Sequence, residues 1–292
     1  MKGIFSALLV PFDKKYNINE SDLRKIVRHN IDCNKVDGLY IGGSTGENFK
    51  LTLKEKKEVF RIAIDEASGS KVQLIAQVGG ICLDETLELA EYSTGLGYKC
   101  LSAVTPFYYK LPNDALIEYY EAIVNKTNNN MLIYTIPSLT GVNMDISVYR
   151  HLLLNEKIIG VKYTSTDLYF LERLINQFPN KLFFYGIDEL LFNASVLKIC
   201  GAIGSIYNID NKQRGKSIFS LVQQNKIAEA RKINTEFNSV IEIVDTMGVF
   251  EPLKETLKQM DVISSSVCKK PVHILDNSEK KNIAALIQKY LK

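Results

Sequence analysis

Short apolar runs recur along the chain, and each is followed by a segment whose apolar residues repeat at helical spacing. The runs are Ile4–Val10, Gly38–Gly43, Gln73–Gly79, Cys100–Thr105, Met131–Ile136, Ile158–Tyr163, Leu182–Ile187 and Ala202–Tyr207. Most are apolar at consecutive positions instead of alternate ones, as strands covered on both faces of a parallel sheet are. Between them, Leu23, Ile26, Val27 and Ile31 share one helical face, and Leu116, Tyr120, Ile123 and Val124 repeat the pattern. Strand then helix, eight times over, predicts an α/β chain folded as a (β/α)8 TIM barrel. A doubly wound sheet is the alternative. It rarely has so many consecutive units, and the Gly-rich dinucleotide fingerprint that would follow its first strand is missing after Val10.

Helix starts are legible as well. Asn19 or Ser21 precedes the first helix, Thr52 with Glu55 reads as a capping box, and Asp84 and Asp145 stand before later helices. Beyond Tyr207 the strand pattern stops, and helices are predicted over 212–223, 226–245, 250–259 and 278–291. No Pro-, Gly- or Ser-rich linker sets them apart. Residues 1–210 are therefore read as a barrel core, and residues 211–292 as a helical extension packed on it within one structural unit. Ile233, Phe237, Val240 and Val244 have the spacing of a core or subunit-interface face.

Composition narrows the function. The 292 residues are 46% hydrophobic and 24% charged, as in an ordinary globular protein. The 36 Lys and Arg exceed the 33 Asp and Glu by only three, and the charges are interspersed, as in Lys54-Glu-Lys-Lys-Glu58, which gives nucleic-acid binding no support. Five cysteines with no Cys-x-x-Cys pair argue against a disulfide framework or zinc knuckle and fit a reducing cytoplasm. Met1–Asp13 lacks the full hydrophobic region and cleavage site of a signal peptide and reads as a first strand. No apolar run approaches the ~20 residues that span a bilayer, so no membrane anchor is expected.

In a barrel of this kind the loops after the strands share one face, where function sits. The sixth run, Ile158-Ile-Gly-Val-Lys162-Tyr-Thr164, ends in a lysine. Buried, that amine would have a depressed pKa and suit imine chemistry; exposed, it would only mark the strand end. After the second strand, Gly42-Gly-Ser-Thr-Gly-Glu47 presents Ser44, Thr45 and backbone N–H groups just before a helix, a turn suited to an anion. Glu47 occupies the place of a phosphate loop's lysine, so a carboxylate is the better ligand than a nucleotide; a turn needed only for tight chain reversal is the other reading. After the fifth strand, Tyr134 stands beside Pro137, where a phenol can move protons or simply pack. Pro106-Phe-Tyr108-Tyr-Lys110 follows the fourth strand, Gly186, Asp188 and Glu189 the seventh, and Gly204 and Ser205 the eighth. The last two groups are polyol-binding types, although an acidic pair also caps helices. His29, His151 and His273 lie away from the strand ends, and no set of His, Cys, Asp and Glu has metal-ligand spacing.

With Gly-Ser-Thr-Gly-Glu47, Tyr134 ahead of Ile-Pro137, and Gly160-Val-Lys-Tyr-Thr164, the chain resembles the N-acetylneuraminate lyase and dihydrodipicolinate synthase superfamily over essentially its whole length. It is most similar to the lyase branch at Gly42–Glu47, Pro106–Tyr109, Gly204–Asn208, Gly248–Phe250, Met260-Asp-Val-Ile-Ser and Cys268–Pro271. Leu139 stands where the synthase usually has a carboxylate-binding arginine, and the lyase branch has leucine there too. Two positions depart from the pattern: Thr135 replaces a common asparagine, and Ile187 an aromatic residue. The resemblance implies a cytoplasmic class I aldolase that reversibly cleaves N-acetylneuraminate, a sialic acid, to N-acetylmannosamine and pyruvate, with no cofactor and no metal. By the same resemblance, Lys162 forms the imine, Tyr134 relays a proton, Ser44 and Thr45 hold the pyruvyl carboxylate, and Thr164, Gly186, Asp188, Glu189 and Ser205 bind the polyol. Members are commonly homotetramers, and Tyr108 and Tyr109 lie where a neighbouring subunit would approach. An aldolase for a 2-keto-3-deoxy sugar acid, a dihydrodipicolinate synthase and a non-catalytic keto-acid-binding protein are the alternatives.

Overall fold

The eight apolar runs become eight parallel strands in a computed structural model that describes residues 1–292: β1 (Gly3–Ala7), β2 (Gly38–Ile41), β3 (Gln73–Gln77), β4 (Cys100–Val104), β5 (Asn130–Thr135), β6 (Ile158–Tyr163), β7 (Leu182–Tyr185) and β8 (Gly201–Gly204). They close into one barrel in chain order, with β1 paired to β8. Most strands stop before their apolar run does. Leu8, Leu9 and Val10 lie beyond β1 yet are buried, and Ile206 and Tyr207 are buried in a 3-10 turn after β8. Apolarity records burial, and the loops that fold over the barrel mouth are buried although they lie past the ends of the strands.

Helices α1 (Glu20–Asp32), α2 (Leu53–Ala67), α3 (Leu83–Gly95), α4 (Asn113–Thr127), α5 (Pro137–Thr140), α6 (Ile146–Leu154), α7 (Leu168–Gln177) and α8 (Leu191–Val196) fill the connections. Local chemistry sets their starts. Asn19 Oδ1 accepts from the Asp22 N–H at 3.1 Å, Thr52 and Glu55 exchange both bonds of a capping box, and Asp145 accepts from the N–H groups of Ser147 and Val148. Asp84 is different: Cys82 caps α3, and Asp84 sits inside the first turn, where the helix dipole favours its charge.

The remaining helices are α9 (Arg214–Gln223), α10 (Ile227–Asp245), α11 (Phe250–Gln259) and α12 (Asn277–Leu286). Phe237, Leu253 and Ile283 belong to the same apolar cluster of 65 buried residues as Ile4 and Leu39 of the barrel wall. A second cluster of 11 fills the barrel itself, with Phe5, Tyr40, Ile75, Leu132, Phe184 and Ile203 among its members.

One irregularity decides which face of β6 looks inward. Met131 pairs with Ile158, but Leu132 pairs with Gly160, so β6 holds one extra residue at this point. Before the bulge Ile158 packs in the outer cluster; after it Val161 and Tyr163 do, and Lys162 falls beside the inward Tyr134. Were the same residues paired regularly, with none bulged out, Val161 would lie beside Tyr134 and Lys162 would point into the helix layer. Gly160 permits the arrangement because a Cβ there would lie 1.9 Å from the Leu182 carbonyl oxygen on β7. Gly160→Ala is therefore expected to destabilise the fold by roughly 1–3 kcal/mol, the usual cost of overpacking, read as a lower urea midpoint at unchanged slope.

Candidate active site

The ends of β5 and β6 bring together the two groups on which imine chemistry would depend. Tyr134 and Lys162 are register partners, and both are buried, with 3% and 5% of their surface exposed. The Lys162 Nζ lies 3.8 Å from the centre of the Tyr134 ring and 4.2 Å from that of Tyr40 on β2. Tyr40 is fixed in turn by donating its hydroxyl to Ser102 Oγ at 3.0 Å and by an edge-on contact with the Tyr134 ring. Burial holds the Lys162 ammonium below its ordinary pKa, against opposing pulls from the Tyr134 hydroxyl and the Asp188 carboxylate. An amine in such a setting is poised to act as a nucleophile.

The loops after β2 and β8 meet above β1. Ser44–Gly46 forms a 3-10 turn, followed by a second over Asn48–Lys50, so the turn stands several residues ahead of α2 instead of directly before it. Thr45 Oγ1 lies 2.7 Å from Ser205 Oγ, a hydroxyl pair that links the two loops. Ser44 lines a cavity of about 200 Å³ together with Asn48, Leu139, Thr140 and Phe250.

On the opposite side of the mouth, Gly186, Asp188, Glu189 and Ser205 line a second cavity of about 260 Å³, closed by Val244 of α10 and Leu253 of α11. Asp188 Oδ2 accepts from the N–H groups of Ser205 and Ile206 at 2.9 and 3.0 Å. Burial pushes its carboxyl up to about 7, against the pull of those two N–H groups and of Lys162. A Cβ on Gly186 would lie 2.0 Å from the Thr164 hydroxyl, which is buried and has no hydrogen-bond partner. The Glu189 side chain is exposed, and its carbonyl accepts from Asn238. The sequence reading missed Tyr40, Phe250 and Leu253. Tyr40 was discoverable only from its inward place in β2; Phe250 lay in the lyase-like Gly248–Phe250 stretch but was given no role, and Leu253 carries no local signal, since a helix far along the chain brings both to the mouth.

The chain is similar to known proteins over its whole length. Residues 1–290 match the dihydrodipicolinate synthetase family. The chain belongs to this family. Within it, the N-acetylneuraminate lyase of Fusobacterium nucleatum subsp. nucleatum is 53% identical over 292 residues, spanning the whole of both chains. The N-acetylneuraminate lyase of Haemophilus influenzae is 50% identical over 272 residues, 93% of this chain and 92% of that protein. Among solved structures, CdNal from Clostridium difficile in complex with mannosamine superposes with a TM-score of 0.96 at 47% identity, covering 99% of each chain. The F. nucleatum lyase complexed with pyruvate gives 0.95 at 52%, covering 100% of this chain and 98% of that one. Dihydrodipicolinate synthase from Aquifex aeolicus gives 0.93 at 20% identity, covering 99% of this chain and 98% of that one, a likeness of fold alone.

The lowered pKa of Lys162 makes a linkage prediction. Between that pKa and the ordinary lysine value of 10.5, the unfolded chain holds a proton that the native chain has lost. Stability therefore rises with pH across this window. Lys162→Met, with an apolar side chain of similar length, is expected to be the more stable protein at neutral pH, by a margin that narrows as pH approaches 10.5. Urea denaturation of both chains along a pH series measures the margin, and one that stays constant would contradict the burial argument.

Proposed function

We propose that this chain is a class I aldolase that reversibly cleaves N-acetylneuraminate to N-acetylmannosamine and pyruvate through an imine on Lys162. The observation that carries the reading is the desolvated Lys162 amine, held against the Tyr134 and Tyr40 rings at the barrel mouth, in a chain about half identical to N-acetylneuraminate lyases. The amine attacks the ketone carbon of the open-chain sugar acid and, after loss of water, gives an iminium. The bond between the third and fourth carbons then breaks, and its electron pair moves into the iminium to give an enamine. Tyr134 relays the proton that leaves the fourth-carbon hydroxyl. Protonation of the enamine and hydrolysis release pyruvate and restore the amine. The imine is itself the electron sink, so the reading calls for no cofactor.

Ser44 and Thr45 hold the pyruvyl carboxylate, while Thr164, Gly186, Asp188, Glu189 and Ser205 bind the polyol. The unpartnered Thr164 hydroxyl supports this assignment, as does the cavity that the other four share. Leu139 at the rim of the first cavity leaves no guanidinium there for a second carboxylate, which favours the lyase reading over the synthase. Residues 1–210 act as the catalytic core and residues 211–292 as helices of the same unit, and their common apolar cluster supports that unity. The protein works in the cytoplasm as a homotetramer; the exposed rim aromatics Tyr108 and Tyr109 support a subunit contact there. No helix is long and apolar enough to cross a membrane.

Pyruvate release from N-acetylneuraminate tests the proposal. Lys162→Ala is expected to abolish it, and Tyr134→Phe to lower kcat by about 10²- to 10⁴-fold, the usual span for a general acid or base. Borohydride added with pyruvate should leave a stable mass increment on Lys162, and its absence rules out the imine. Faster cleavage of 2-keto-3-deoxy sugar acids would shift the substrate while keeping the chemistry.

A further inference from the structure

Two buried charges outside this chemistry stand directly behind the turn that carries Ser44 and Thr45. Glu47, two residues after Thr45, has φ of 54° and ψ of 33°, a left-handed conformation that a residue with a Cβ adopts only when its surroundings impose it. Its side chain is wholly buried, as is that of Lys254 on α11, and Lys254 Nζ donates to Glu47 Oε1 at 2.6 Å. The other carboxylate oxygen accepts from the Lys269 N–H at 2.9 Å and faces Lys50 Nζ at 3.3 Å. Lys254 is held from three sides, since it also donates to the Val267 carbonyl at 3.1 Å and lies 4.4 Å from the centre of the Phe12 ring. Lys50 donates to the Lys269 carbonyl at 2.9 Å, tying the same two segments together again.

We infer that the Lys254–Glu47 ion pair is a positioning device for the carboxylate end of the substrate, supplied to the barrel mouth by the C-terminal helices. The inference rests on the imine reading of Lys162 and adds to it residues that touch no reacting atom. Glu47 closes the 3-10 turn, its N–H donating to the Ser44 carbonyl at 2.9 Å, so the torsion imposed on Glu47 fixes where the Ser44 and Thr45 hydroxyls stand. Lys254 has an electrostatic part as well. It shares with Lys50 the compensation of a buried carboxylate that lies beside the place an anionic substrate must enter, and a carboxylate left with the partly exposed Lys50 alone would both strain the fold and repel the ligand.

Borohydride trapping on Lys162 with two ketones separates this role from general support of the fold. Pyruvate needs the Ser44–Thr45 turn, whereas acetone has the same carbonyl and no carboxylate. In Lys254→Met, the pyruvate concentration for half-maximal trapping is expected to rise roughly ten-fold or more, as for a misplaced positioning contact, while that for acetone moves by less than about two-fold. Glu47→Gln/Lys254→Met leaves no unpaired charge buried and carries the test where the single variant does not fold; the same split is expected. Unchanged pyruvate trapping in the double variant overturns the inference, and so does an equal weakening of both ketones. A native chain that traps neither ketone overturns the imine reading instead, an outcome visible before any variant is made.

Discussion

An ammonium ion loses most of its hydration when it is drawn into a barrel mouth, and the arrangement around Lys162 is organised by that loss. Tyr134 and Tyr40 offer ring faces, which attract a cation without binding it as a carboxylate would. Asp188, the nearby acid, has its Oδ2 engaged by two backbone N–H groups and is itself pushed towards its neutral form by burial. Lys254 shows the opposite solution a few residues from the same mouth. There a carboxylate at 2.6 Å and a carbonyl at 3.1 Å surround the ammonium, and the product is a fixed ion pair. One environment yields a nucleophile and the other a strut.

The rim divides along the same lines. On one side the Ser44 turn, Leu139 and Phe250 bound a small cavity with a mainly apolar wall. On the other, Gly186, Asp188, Glu189 and Ser205 bound one with more polar groups. The Thr45–Ser205 contact joins the two sides over the end of β1. A substrate with a carboxylate at one end and hydroxyls at the other has a defined direction in such a groove, and α11 contributes a residue to each cavity through Phe250 and Leu253. The C-terminal helices thus shape the mouth as well as cover the barrel.

Much of this was readable from the chain. All eight strands lie within or next to their apolar runs, α11 spans its predicted residues, and the starts at Thr52 and Asp145 follow from side chains that can accept an N–H. These features are local. Asp84 misled because an acidic residue suits both the cap and the first turn, and only the backbone distinguishes them. The neighbourhood of Glu47 was not readable at all, because Lys254 and Lys269 are more than 200 residues away and nothing near Glu47 announces them. Nor was the inward turn of Lys162. A run of consecutive apolar residues has no alternation to break, so the extra residue in β6 leaves no trace in the pattern.

That extra residue makes β6 unequally tolerant of different kinds of change. Deleting one residue between Ile158 and Val161 would remove the bulge and leave a regular ladder, but inserting one would demand a second irregularity or exchange the two faces of the rest of the strand. After the deletion Val161 would still face the helices and Lys162 would still lie beside Tyr134, whereas an insertion absorbed by no further bulge would turn Lys162 out of the barrel with every side chain around the mouth still present. The length of this short segment is thus constrained against growth more than against loss, an asymmetry that its composition does not show.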